Sequence, residues 1–293
     1  MQVPPAMANL NVTVRSSGID FPGHLHTLQS LQYAQEFQFQ DTDTVIITYP
    51  KSGTTWMQEI LTLIYSDGDT LPAKTIPNWL RAPWIEHYYS ESVLVNKSDH
   101  RILTSHLPYH FLAKPLKRSN AKVIYVARNP KDVVVSFYHF HKIANFLPEP
   151  GTFGEFLDKF LIGEVNYGSW FEHIKEWQSH RDELNFLFIT YEELKKDLRK
   201  SVTKLCNFLK HPLLPNAVDA IVWHCTFENM KENKMTNYTL APKEILNHGR
   251  GKFMRKGVVG DWKEHFTHEQ KQAFEKIFQN EMSNSNITLN YPL

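Results

Sequence analysis

Cysteine is nearly absent: Cys206 and Cys225 are the only two in 293 residues. Their separation matches no metal-ligand pattern, so the sequence predicts reduced thiols, no disulfide framework and no cysteine-bound metal. Net charge is nearly absent too. Lys and Arg total 32 against 31 Asp and Glu, leaving +1, with no general attraction to nucleic acid; any basic site must be local. No segment is apolar for long enough to span a bilayer. Met1 to Ser17 carry Pro4 and Pro5 and lack the apolar core of a secretory signal. They are expected to be a flexible extension, 1–17, ahead of one domain, 18–293, in the cytoplasm. The Asn-x-Ser/Thr sequons at Asn11, Asn96, Asn237 and Asn286 are then expected to stay unmodified. The Walker sequence G-x-x-x-x-G-K-[ST] is missing, as are internal repeats, low-complexity tracts and linkers. A hydrophobic content of 42% suits a globular fold.

What the chain does contain centres on Thr44-Val-Ile-Ile-Thr-Tyr-Pro-Lys-Ser-Gly-Thr-Thr-Trp56. Val45, Ile46 and Ile47 form an apolar β-branched run that reads as a buried strand. Pro50 ends it, and Gly53 permits a tight turn. Trp56, Ile60, Leu63 and Ile64 then recur at helical spacing, with Gly68 as a stop. A strand, a short loop and a helix N-terminus deliver backbone N–H groups to one point, a geometry that binds phosphate. Lys51 adds a mobile positive charge; Ser52, Thr54 and Thr55 add hydroxyl donors. An ordinary polar strand-to-helix turn is the plainer alternative.

A helix is expected within His24–Phe37. Leu71 to Trp84, with Pro72, Pro77 and Pro83, reads as a surface loop whose Trp79 and Trp84 either cover a pocket or anchor the loop. Arg101 to Pro108 reads as a short strand, which puts His106 at a strand end, where parallel α/β sheets place ligands. Lys122-Val-Ile-Tyr-Val-Ala127 is the clearest strand. It runs into Arg128-Asn129-Pro130-Lys131-Asp132, where Asn129 suits an N-cap, Pro130 the first helical position and Asp132 the first turn. Arg128 thus sits at a strand end, and Ser136 on the helix that follows. Arg favours bidentate contact with phosphate. Phe153, Phe156, Leu157, Phe160 and Leu161 make a core stripe, and Trp170–His180 is another helix. Asn185–Thr190 is a third strand ending at Tyr191. Helices are expected at 201–209, 217–223 and 267–280; the last opens on a Thr267/Gln270 capping box and buries Ala273, Phe274, Ile277 and Phe278. Strands alternating with helices predict an α/β single domain: a central, mainly parallel sheet with right-handed crossovers, flanked by helices, with a P-loop-like phosphate-binding strand-loop-helix. A glycine-rich basic stretch, Asn247 to Lys263, carries Arg250, Lys252, Arg255, Lys256 and Lys263. Such a loop can close over an anion. Two basic elements imply a ligand with phosphates at two places. His139, His141, His265 and His268 are close in sequence, but their spacing suits surface or packing roles, and no metal site is expected.

Five segments in order resemble the cytosolic sulfotransferases: Tyr49-Pro-Lys-Ser-Gly-Thr-Thr-Trp56, Ser105-His-Leu-Pro108, Val126-Ala-Arg-Asn-Pro-Lys-Asp132 with Ser136, Tyr191-Glu-Glu-Leu194, and Arg255-Lys-Gly-Val-Val-Gly-Asp-Trp-Lys263. The last contains the family's Gly257-x-x-Gly260-x-x-Lys263, and the likeness runs from Asp41 to Met282. It implies 3′-phosphoadenosine 5′-phosphosulfate as donor, adenosine 3′,5′-bisphosphate as product, and no metal. It places Lys51, Ser52, Gly53, Thr54, Thr55 and Trp56 at the 5′-phosphosulfate, with Trp56 also near adenine. Arg128, Ser136, Arg255, Lys256 and Gly257 fall around the 3′-phosphate, and Phe253 and Met254 are also cofactor-binding. Tyr191, Cys225, Thr226, Phe227 and Met230 fall along the adenosine, with Phe227 stacked on the base.

The chemistry implied is in-line sulfuryl transfer to a hydroxyl or amine of a small apolar acceptor. His106 would be the general base, a role suited to a pKa near the working pH. Lys51 would stabilise the leaving phosphate; Ser136 would bind the 3′-phosphate and hold Lys51 back. Trp84, Phe140 and Tyr238, with His106, match the family's acceptor pocket. Phenol-type members carry Lys two residues before the base, where this chain has Thr104; that tilts the expectation toward bulkier or alcoholic acceptors. The family's dimerisation pattern, Lys-x-x-x-Thr-Val-x-x-x-Glu, reads here Lys263-Glu-His-Phe-Thr267-His268-Glu-Gln-Lys-Gln272, which predicts a monomer or a weak homodimer without nucleic-acid or membrane partners. The competing readings are a non-catalytic nucleotide binder on the same fold and an ATP-dependent kinase, which would need the absent Walker lysine.

Overall fold

The computed structural model describes residues 12–95, 100–283, 285 and 287. Two sheets form. Thr13–Ser16 (β1) pairs antiparallel with Ile19–Pro22 (β2). Thr44–Thr48 (β3), Ile102–Ser105 (β4), Lys122–Ala127 (β5) and Asn185–Thr190 (β6) form a parallel sheet in the order β4-β3-β5-β6. The four long-range strands lie where apolar runs predict them. β1 departs from expectation: residues 13–16 belong to a hairpin rather than to a flexible extension, while residues 1–11 lie outside the described residues.

Alternation along the strands supplies both faces of the sheet with core. Val45, Ile47, Val123, Tyr125 and Ala127 point into one hydrophobic cluster. Ile46, Ile124 and Val126 point into the other. A buried residue on each face explains why these strands read as unbroken apolar runs. The clusters are completed by helices on both sides. Thr54–Tyr65 contributes Met57, Ile60, Leu61 and Ile64 to one; Pro130–Ile143 contributes Val133, Val134 and Phe137 to the other.

Local signals fix the helix ends. Asn129 caps the Pro130–Ile143 helix by accepting from the Lys131 N–H, with Pro130 in the first turn. Thr267 and Gln270 form the expected capping box ahead of His268–Met282, but only Phe274 and Phe278 of its stripe are buried, and Ala273 is exposed. The proline-rich stretch 71–84 is not a loop. It forms short helices Leu71–Thr75 and Asn78–Arg81. Pro72 lies in the first turn of one and Pro77 is the N-cap of the other, positions where a missing N–H costs nothing.

Register places the functional ends together. Ile47 lies beside Ser105, Thr48 beside Val126, and Ala127 beside Thr190. The residues that leave the strands, Tyr49 to Lys51, His106, Arg128 and Tyr191, therefore emerge at one edge. β3 is central, with β4 on one side and β5 on the other, so the chain reverses direction across the sheet at β3, where open α/β sheets form their ligand crevice.

Candidate active site

One cavity of about 370 Å³ opens along that edge. At one end it is lined by Lys51, Gly53, Thr54, Thr55, Trp56, Arg128, Ser136, Tyr191, Cys225, Phe227, Met230, Phe253, Met254, Arg255, Lys256 and Gly257. Trp84, His106, Phe140 and Tyr238 line the other. Of the expected cofactor- and acceptor-site residues, Ser52 and Thr226 do not line it: Ser52 is wholly buried, and Thr226 caps the Phe227–Glu232 helix.

The first loop is built by backbone conformation. Lys51 has φ +70° and Gly53 φ +105°, both in the left-handed region, which is unfavourable for the lysine. A Cβ on Gly53 would stand 2.9 Å from the Tyr191 ring, so glycine is required there both for conformation and for space. The Ser52 hydroxyl and Arg128 Nε are buried without hydrogen-bond partners. Unpaired buried donors in a cradle of helix N-terminal amides are what a phosphate group would satisfy. Arg128 is held otherwise: Nη1 donates to the Lys51 carbonyl at 3.1 Å, Nη2 to the Val258 carbonyl at 3.2 Å, and its guanidinium covers the Tyr191 ring at 4.3 Å.

The basic loop is clamped to the helix after β5. Asp132 accepts from the backbone of Gly260 at 2.7 Å and of Trp262 at 3.0 Å. Asp261 in turn pairs with Arg255 and Lys256. Gly257 has φ +64°, and a Cβ there would overlap the Phe227 ring, so Phe227 packs closely against glycine backbone. Trp56 is fixed by its indole N–H, which donates to the Cys225 carbonyl at 2.9 Å. These contacts fit the residues for a purine nucleotide bearing two separated phosphates.

The Lys51 ammonium rests on two rings, 4.1 Å from the centre of Phe140 and 4.3 Å from that of Phe253. Ser136 lines the same cavity, but the rings, rather than its hydroxyl, seat the ammonium. Burial, then the nearby Arg128 and Arg255 charges, push its pKa down to about 7.

His106 Nδ1 lies 2.9 Å from the Thr48 carbonyl and 3.0 Å from its hydroxyl. A carbonyl only accepts, so Nδ1 carries the proton and Nε2 keeps its lone pair. Thr48 Oγ1 also bonds Thr54 Oγ1 at 2.7 Å, linking the phosphate loop to His106. The His106 backbone N–H donates to Glu86 at 2.7 Å, and its carbonyl lies 3.2 Å from His173 Nε2. Burial, with a further push from Lys51, lowers the imidazole to about 4, below the near-neutral value expected of a base. It is therefore neutral at physiological pH.

Thr104 does not face the cavity. Its hydroxyl donates to the Ala82 carbonyl at 2.9 Å and accepts from Gln58 at 3.0 Å, and its backbone bridges to Trp84. It shapes the acceptor wall through the placement of Trp84. The rest of that wall, including His24, Leu25, His87, Tyr88, Tyr89, Phe146 and Tyr167, was not legible beforehand. Among the clustered histidines, His139 and His265 share a 3.0 Å contact between Nε2 atoms and His141 Nδ1 donates to the Pro148 carbonyl at 2.8 Å, packing roles as expected. Both cysteines are buried and free. Among the described residues, no helix is long and apolar enough to cross a membrane.

Comparison with known proteins agrees with this geometry. The family described as "Sulfotransferase domain" matches residues 41–286. Human Sulfotransferase 2B1 is 50% identical over 269 residues, covering 92% of this chain and 74% of the relative. The 3-beta-hydroxysteroid sulfotransferase of Cavia porcellus is 44% identical over 272 residues, covering 92% and 94%. Among solved structures, mouse sulfotransferase SULT7A1 complexed with PAP superposes with TM-score 0.78 at 32% identity, over 95% of this chain and 96% of that one. Retinol dehydratase in complex with androsterone and inactive cofactor PAP gives TM-score 0.83 at 25% identity, over 96% and 93%. This chain is an enzyme that belongs to the sulfotransferase family, whose sulfuryl donor is 3′-phosphoadenosine 5′-phosphosulfate.

Proposed function

We propose that this enzyme sulfates the hydroxyl of a bulky apolar alcohol of steroid-like shape, with His106 as general base and Lys51 stabilising the leaving phosphate. The observation that carries this reading is the single cavity whose cationic and aromatic ends meet between Lys51 and His106. Support for the acceptor class comes from the hydroxysteroid sulfotransferase relative and from androsterone in the retinol dehydratase complex. The donor supplies an activated sulfuryl group joined to a phosphate through a bridging oxygen. His106 Nε2 takes the acceptor's proton as its oxygen attacks sulfur. Lys51, protonated against the donor's negative charge, receives the charge that collects on the phosphate oxygen as the old S–O bond breaks. Transfer of labelled sulfate to a steroid alcohol, in preference to a simple phenol of equal concentration, is the expected result; a preference for the phenol would overturn the acceptor class.

The assembly proposed is a monomer or a weak homodimer. Gln272 Nε2 donates to His268 Nε2 at 2.9 Å, so the two positions that depart from the dimerisation pattern pair with each other along one helix. A small interface depends on its apolar centre and paired charges. His268→Val with Gln272→Glu is expected to strengthen dimerisation in sedimentation at micromolar concentration; a tight wild-type dimer, unchanged by the substitutions, contradicts the proposal.

A further inference from the structure

His26 follows the hairpin β1–β2, and Glu86-His87 follows Trp84; the fold brings all three side chains together, buried, at the acceptor end of the cavity. One ligand atom from each lies within 4.8 Å of the others. His26 Nε2, Glu86 Oε2 and His87 Nε2 are buried without a hydrogen-bond partner. Three orphaned polar atoms at one point are costly unless something satisfies them.

Their hydrogen-bonding character identifies what that is. His26 Nδ1 lies 2.9 Å from the Pro22 carbonyl, which can only accept, so His26 Nε2 is a lone pair. Glu86 Oε1 accepts the His106 N–H at 2.7 Å, leaving Oε2 as a further acceptor. His87 Nδ1 lies 2.9 Å from the Tyr89 hydroxyl, which can donate or accept; in the tautomer with the proton on Nδ1, Nε2 is also a lone pair. In that tautomer three acceptors converge. A water molecule has only two hydrogens to give them, whereas a cation satisfies all three. Two imidazoles and one carboxylate are ligands suited to zinc and its neighbours. Each ligand is already oriented by a bond from its other polar atom, to the Pro22 carbonyl, the Tyr89 hydroxyl or the His106 N–H, the outer support that metal-binding side chains require.

We propose that His26, Glu86 and His87 bind one zinc-class divalent cation, at a site distinct from the sulfuryl-transfer groups. His87 lines the cavity, so a cation reaches the site from that side. Occupancy is felt by the acceptor, because His87 stacks on Trp84 (centres 5.2 Å apart, planes 6°) and Glu86 holds the backbone of His106.

The test is metal binding by the full chain, freed of metal and titrated with Co²⁺. Expected are one equivalent retained through gel filtration, a visible absorption band of a four-coordinate nitrogen and oxygen site, loss of that band on adding Zn²⁺, and a metal-dependent rise in melting temperature. His26→Gln and, separately, His87→Ser should each weaken binding about tenfold or more and remove the band. The chain's 15 histidines offer weak surface sites, but those survive both substitutions. Retention of well under one equivalent by the wild type, or a band that persists in either folded variant, overturns the proposal. If His26→Gln does not fold by circular dichroism, His87→Ser, which alters a side chain on the cavity wall, decides.

Discussion

The donor and acceptor ends of the cavity are built by opposite means. The donor end is made by backbone: left-handed residues at Lys51, Gly53 and Gly257, helix N-termini, and a loop clamped through Asp132. The acceptor end is made by side chains from separated segments, among them Trp84, His87, Phe140, Tyr167 and Tyr238. Of these only Lys51 is strained, a conformation that persists where the surroundings over-determine it; the two glycines adopt it without steric cost. Aromatic walls can be repacked by exchanging one residue. The arrangement suits an enzyme with one fixed donor and an acceptor preference set by substitution.

The sharpest break of the comparison lies where the ends meet. His106→Ala should lower kcat by about 10²–10⁴-fold while leaving affinity for adenosine 3′,5′-bisphosphate nearly intact, because the hydrogen bonds from His106 to the phosphate loop run through Thr48 and Thr54. Steady-state rates together with calorimetry check both halves of the statement. A variant keeping more than about a tenth of the wild-type rate is too active for His106 to be the base.

Next in size, Arg128→Ala should weaken the 3′-phosphorylated nucleotide by about 1.5–3 kcal/mol, and an analogue lacking the 3′-phosphate much less. Calorimetry on the two nucleotides separates them. Equal weakening of both would mean that Arg128 acts through the Lys51 and Val258 carbonyls it holds, as a brace for the loops rather than as a phosphate ligand.

The same contrast accounts for what the sequence disclosed. Lys51, Arg128 and the stretch 255–257 lie in contiguous strand-loop-helix or glycine-rich signatures, because backbone geometry imposes glycine, proline and capping residues at fixed offsets. β3 and β5 were legible because burial on both faces makes them nearly continuous apolar runs; the edge strands β4 and β6 were legible from shorter apolar stretches, Ile102-Leu103 and Phe186 to Ile189. The acceptor wall leaves no such trace. His26, Glu86 and His87 meet through tertiary packing, and no spacing rule joins a residue after β2 to a pair ahead of β4. The helices at 71–75 and 78–81 were hidden by Pro72 and Pro77, which read as loop signals unless their first-turn and N-cap positions are known. Hairpin β1–β2 was missed because a four-residue strand in a polar stretch carries little periodicity.

Gly257→Ala probes the donor end without removing a charge. Its φ of +64° is costly for alanine, and the new Cβ would overlap the Phe227 ring. Holding a side chain in the left-handed region costs about 1–2 kcal/mol, and Phe227 must also leave the position expected to stack on adenine. Donor affinity should fall about tenfold or more, with acceptor KM unchanged at saturating donor. Unaltered donor affinity would show that Phe227 can move without loss and that the adenine site is less rigid than its backbone.

The smallest effect is a proton. Lys51 is held at about 7 by burial and by the Arg128 and Arg255 charges, so above neutral pH the free enzyme carries it mostly as the amine. An anionic donor placed against it favours the ammonium, which raises its pKa in the complex. Binding above neutral pH must then take up a proton, and affinity must fall as pH rises from about 7 to 9. Holding the complex protonated, the loss reaches about tenfold one pH unit above the free pKa, since each unit corresponds to 1.36 kcal/mol. The sign is distinctive, because a phosphate monoester with a second pKa of about 6 is already fully charged in this range and contributes no opposing change. Calorimetric enthalpies of nucleotide binding, compared at pH 8 in buffers of different ionisation enthalpy, measure the uptake directly. Lys51→Arg keeps the charge but cannot lose its proton, so it should abolish both the uptake and the pH dependence. If the arginine variant takes up as many protons as the wild type, another group titrates and Lys51 is already charged in the free cavity. The rings of Phe140 and Phe253 would then be holding an ammonium that the two neighbouring cations had failed to deprotonate.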